Sequence, residues 1–125
     1  MINDAVPQKE GGWVVLVEAE TCPGYEDHRW QLVATHAVPE GGRAAADGLA
    51  RKIAMEYVPK EVSVGPGDTP ARKVFRAADS SWLVEVRGND HKRILCRITT
   101  AELVRERKYL HARDTLADRR RRLLG

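Results

Sequence analysis

The chain has 125 residues, of which 42% are hydrophobic and 31% charged, with a formal net charge of +3. That length suits a single domain whose core needs no disulfide or structural metal, and the composition excludes a disordered chain. Cys22 and Cys96 form no C-x-x-C pair, which excludes a zinc ribbon and a thioredoxin-like redox motif.

The opening MINDAVPQKEGG has no basic start and no apolar stretch, and the longest apolar run, Trp13 to Val17, is too short to cross a bilayer. A cytoplasmic protein with no membrane partner is expected. Residues 1–12 read as a flexible N-terminal segment and residues 13–125 as one α+β domain. Within it, WVVLVEAE (13–20) is a β-branched run bounded by Gly11-Gly12 and by Cys22-Pro23-Gly24, which predicts a strand. RWQLVATHAV (29–38) alternates apolar and polar side chains and predicts a second strand, paired with the first as a hairpin.

Pro39-Glu40-Gly41-Gly42 stops that strand, and helical spacing follows over 41–58: Ala46, Leu49, Ala50, Ile53, Ala54 and Tyr57 share one face. Gly48 costs this helix about 1 kcal/mol relative to alanine. The segment 59–70 carries three prolines and two glycines and reads as a loop, with a short extended piece at Val62–Val64. RKVFRAA (72–78), SWLVEVR (81–87) and KRILCRIT (92–99), separated by turns at Asp79-Ser80 and Gly88-Asn89-Asp90, predict a three-strand meander.

Thr99-Thr100-Ala101-Glu102 fits the S/T-x-x-E capping box and predicts a second helix running to the end of the chain. Leu103, Leu110, Ala117 and Leu124 recur every seven residues beside Tyr109, Leu116 and Leu123, but Glu106, Arg113 and Arg120 run between the two rows. A face charged along its midline resists burial in a monomer, so the expectation is that the first two turns pack on the sheet and residues 111–125 protrude. The order along the chain is then ββαβββα: an antiparallel five-stranded sheet with two helices packed on one face.

No set of residues converges on a catalytic signature, and no cofactor or metal is assigned. Cys22, with His28 nearby, is the candidate nucleophile, but two carboxylates in the same loop oppose ionisation of the thiol. His28, His36, His91 and His111 have no ligand spacing. Glu18 and Glu20 share a strand face, and with Glu85 beside them they would form an acid/base group; a solvated outer face explains the same residues. Gly65-Pro66-Gly67 lacks the lysine and the strand-to-helix setting of a P-loop. Trp13, Trp30 and Trp82 each stand at or near a strand start and read as core anchors, an exposed one marking a partner patch.

The charge is uneven: residues 1–90 hold 10 Lys/Arg against 14 Asp/Glu, whereas residues 91–125 hold 11 against 4. Arg113, Leu116, Arg119, Arg120, Arg121, Arg122 and Leu123 are therefore the candidate partner-binding residues. Three readings of this end stand open: a protein contact or homodimer seam, a phosphate contact, and a solvated helix terminus. The leading expectation for function is a non-enzymatic protein-binding module of accessory or adaptor type, acting through its sheet and C-terminal helix, with a protein or a second copy as partner. The alternatives are a nucleic-acid-associated protein and a small-ligand protein or enzyme with a pocket between helix 41–58 and the sheet.

Overall fold

A computed structural model of the chain describes residues 10–21 and 29–112. β1 (Trp13–Thr21) and β2 (Arg29–Val38) form the expected antiparallel hairpin. Ala34 stands opposite Val17 but Leu32 opposite Glu18, so Val33 is the extra residue of a bulge. α1 (Gly42–Glu56) follows, and β3 (Ala71–Arg76), β4 (Trp82–Arg87) and β5 (Arg93–Glu102) make the meander. The sheet order is β2-β1-β5-β4-β3, so the last strand takes the central place.

β2 and β3 lie on opposite edges, and the connection between them must cross the whole sheet. Five strands span about 19 Å and fifteen helical residues about 22 Å, so α1 is long enough to cover that width. It packs against β1, β5, β4 and β2. Ala46, Ala50 and Ala54 form its buried line, and their small side chains let the helix approach the sheet closely; Leu49, Ile53 and Tyr57 flank them. Below the helix, Val15, Val17, Ala19, Val84, Val86, Ile94, Cys96 and Ile98 alternate inward from the three central strands. Val62 adds to this core from the 57–70 connection.

Both ends of α1 are made by particular residues. The chain enters through Gly41 (φ 92°) and Gly42 (φ 61°), left-handed conformations that disfavour side chains, and a Cβ on Gly41 would sit 2.6 Å from that of Ala45. At the exit the last turn carries no basic residue. Arg72 on β3 supplies one: its Nη1 donates to the Ala54 carbonyl oxygen at 3.2 Å, meeting both a free acceptor and the negative end of the helix dipole. Burial lowers the Arg72 pKa, with Cys96 and Glu56 acting in the opposite sense.

The expected helix does not start at Thr99: α1 is the one helical element among residues 10–21 and 29–111, and beyond it only Ala112, the last described residue, is helical. Leu16 and Val15 pair with Thr99 and Thr100, and Val14 and Trp13 with Ala101 and Glu102, so β5 runs on along β1. A capping box needs free backbone N–H groups beyond its threonine, and here the ladder to β1 claims that stretch of backbone. Two β-branched threonines following Ile98 favour the extended alternative. Beyond the strand, Leu103 N–H donates to Gly12 O at 2.9 Å and Gly11 N–H to Leu103 O at 2.6 Å. Residues 103–111 continue outside any helix, with Val104, Tyr109 and Leu110 exposed instead of packed on the sheet.

Two turns close the meander. Asp79 Oδ1 accepts from the Ser81 N–H at 3.0 Å and from the Ser81 hydroxyl at 2.6 Å, and these bonds hold the Asp79 carboxyl below its ordinary pKa. Gly88 lies against the 57–70 connection, where Asn89 N–H donates to Ser63 O at 2.9 Å. A Cβ on Gly88 would run into that same carbonyl oxygen. Gly88→Ala is therefore expected to destabilise the fold by about 1–3 kcal/mol through overpacking. Gly48→Ala, in a helix position with open space around it, is expected to stabilise by up to about 1 kcal/mol. Thermal unfolding of the two variants checks both signs.

Candidate functional site

Because side chains alternate along each strand, the face opposite α1 is set by the same register that builds the core. One rung of this open face crosses all five strands: Leu32, Glu18, Arg97, Leu83 and Phe75 stand side by side from β2 to β3. A neighbouring rung pairs Trp30 with Glu20 on one side, and Leu95, Glu85 and Lys73 continue it on the other. Leu32 is 58% exposed and Phe75 53%, at the two ends of the first rung, while Leu16, Leu83 and Leu95 are half-buried between them.

The charges here are interleaved. Arg97 extends from β5 to β2, placing its guanidinium carbon 5.0 Å from the centre of the Trp30 ring, a cation–π contact. It stands opposite Glu18 on the way. Arg93 Nη1 bonds Glu85 Oε2 at 3.3 Å. Glu20 Oε1 accepts the Leu95 N–H at 2.7 Å, tying the end of β1 to β5.

This arrangement bears on the two sequence readings of Glu18, Glu20 and Glu85, an acid/base group and a solvated outer face. Glu18 and Glu85 do lie on the same face, but β5 runs between their strands and places Arg97 and Arg93 beside them. Glu18 and Glu85 each stand beside an arginine and Glu20 accepts from the Leu95 N–H, which suits a solvated surface better than a pair of carboxylates sharing a proton. Of the three tryptophans, Trp13 and Trp82 pack against the core on the helix side, beneath Arg43 and Arg76 respectively. Trp30 is on the open face, half-buried under Arg97.

The other candidates scatter. His36 sits half-buried on the helix side of β2 opposite Val15, and His91 lies exposed in the β4–β5 turn with φ 63°. The His111 ring meets Tyr109 edge-on at 4.8 Å. Cys22, His28 and all seven candidate partner-binding residues, Arg113, Leu116, Arg119, Arg120, Arg121, Arg122 and Leu123, lie outside the described residues. Among the described residues, two of the open clefts lie at the margins of the sheet. One of about 390 Å³ runs along Val64–Ala71 and Arg87–His91; the other, about 430 Å³, lies between Tyr57–Glu61 after α1 and the ends of β1 and β2. No helix of the described residues is long and apolar enough to cross a membrane.

Cys96 lies with no exposed surface in the core, and burial pushes its thiol pKa up to about 12. Burial also raises the Tyr57 pKa, with Cys96 and Glu61 adding to it. Both groups are thus held neutral in the fold. The stability this confers is complete below the ordinary thiol pKa of about 8.5 and is lost as the pH climbs toward the raised values. Alkaline titration of unfolding is expected to show that decline. In a Cys22→Ser variant at neutral pH, iodoacetamide should label native Cys96 more than about a thousandfold slower than the urea-unfolded chain, given its low thiolate fraction. Equal rates would show that Cys96 is accessible and ionisable. No protein family, curated protein or solved structure matches the chain.

Proposed function

We propose that the chain is a small non-enzymatic protein-binding module of accessory or adaptor type, with the open face of the sheet as its contact surface. The observation that supports this reading most directly is the rung Leu32–Glu18–Arg97–Leu83–Phe75, with exposed apolar side chains at both ends and opposite charges between them. Such a surface fits a folded protein partner that offers an apolar patch and charges of both signs, because each acid and base can be matched in place. Glu18, Glu20 and Glu85 would repel a polyphosphate laid across the same face. The basic C-terminal residues Arg113, Leu116, Arg119–Arg122 and Leu123 form a second part of the contact in this reading, on the strength of their sequence pattern.

A second reading, a nucleic-acid contact, draws on the exposure of Arg105, Arg107 and Lys108, which precede the four arginines in the chain. It calls for retention on heparin that weakens steeply with salt and is lost when Arg119–Arg122 become alanine.

The test of the leading reading is affinity capture with the wild-type chain and with a Leu32→Glu/Phe75→Glu variant. Both positions are exposed, so the variant should keep its circular dichroism and melting temperature. It should bind the captured partner about tenfold or more weakly, which corresponds to a loss of about 1.4 kcal/mol or more. Undiminished affinity would remove the open face from the contact.

A further inference from the structure

The two edges of the sheet are unlike, and the difference points to self-association. β3, at one edge, reads ARKVFR and exposes Lys73 and Arg76, beside Arg72, whose guanidinium is bonded to the end of α1. Charges of this kind guard an exposed edge against pairing with another strand, and against its own copy most of all, since like charges then meet. β2, at the other edge, is ten residues long and has no Lys, Arg, Asp or Glu from Trp30 to Val38. Among the described residues no strand pairs with its outer side.

We infer that β2 is the dimerisation edge of the protein, pairing antiparallel with β2 of a second copy to extend the sheet from five strands to ten. The bulge at Val33 breaks the regular edge and confines the new ladder to Ala34–Val38, which Pro39 then ends. This segment pairs regularly with β1 on its inner side, so its remaining backbone N–H and C=O groups point outward.

Symmetry fixes more of the arrangement. An antiparallel strand paired with its own copy is related to it by a two-fold axis perpendicular to the sheet. Residues facing one another then lie on the same face of the combined sheet. Both α1 helices therefore lie on one side of the dimer, and the two open faces join into one surface on the other. A ladder over Ala34–Val38 is centred on residue 36, so the axis sets His36 opposite its own counterpart and residue 35 diagonally across from its copy. An uncharged threonine accepts that position; a charged side chain there would meet its own sign across the axis.

The inference goes beyond the proposed partner contact and does not rest on it, because Thr35 is at the edge and Leu32 and Phe75 define the binding rung. The experiment measures molar mass in solution by sedimentation equilibrium across the micromolar range for the full chain, Thr35→Lys, Thr35→Glu and an equimolar mixture of the two variants. The wild-type chain should reach twice its 14.0 kDa monomer mass. Each variant alone should stay monomeric with unchanged circular dichroism, and the mixture should recover the dimer, a rescue that misfolded chains would not give. A monomeric wild-type chain, or a dimer indifferent to both substitutions, overturns the inference. A dimer lost only on removing residues 113–125 overturns it as well, placing the seam in the tail.

Discussion

β5 lies between β1 and β4, so the hairpin of residues 13–38 and the meander of residues 71–102 become one sheet only through its two ladders. The core depends on the same placement. Ile94, Cys96 and Ile98 fill the centre beneath α1, with Val15, Val17 and Ala19 on one side and Val84 and Val86 on the other. The contacts that place β5 against β1 join residues some eighty positions apart, so they form only at the entropic cost of closing a long loop. Their energetic return is the burial of apolar side chains from three strands at once. The bonds of Leu103 to Gly11 and Gly12 extend this ladder past the strand itself.

Much of this architecture is written locally. β-Branched runs, period-two alternation and short turns suffice for the hairpin and the meander, because each pairing is between neighbours in the chain. The Ala46/Ala50/Ala54 line likewise identifies the buried side of α1 without tertiary information. The central place of β5 has no such local marker. The same gap explains the helix expected from Thr99: the S/T-x-x-E pattern describes what these residues can do at a helix start, and a ten-residue strand alongside β1 offers the backbone a larger set of bonds.

The open face was legible only in halves. Alternation places Leu83, Glu85 and Arg87 together on β4, and Arg93, Leu95 and Arg97 together on β5, and the sequence shows both sets. Which residues meet across the sheet depends on the β1–β5 register, and no residue pattern encodes that number. Without it, Glu18, Glu20 and Glu85 look like a carboxylate cluster; with it, Arg97 stands opposite Glu18 and Arg93 bonds Glu85. Trp30 departs from the expected core position for the same reason. Its place near a strand start resembles that of Trp13 and Trp82, yet its rung partner is Glu20 and its cover is Arg97, not the core.

The charge distribution acquires a different meaning once the strands are ordered. The basic excess of residues 91–125 begins within β5, and there Arg93 already bonds Glu85 while Arg97, opposite Glu18, lies over the Trp30 ring. These cations stand as spacers between apolar side chains and break up what would otherwise be a continuous apolar patch on the face opposite α1. A face built this way separates two tasks that composition alone merges. Alternating charge on the face and the cations of the β3 edge oppose indiscriminate association, whereas the β2 edge from Trp30 to Val38 carries no such charge, the difference on which the proposed pairing rests. The placement of charge in the fold, more than its total, is therefore what separates the proposed contact on the face from the proposed pairing at the β2 edge.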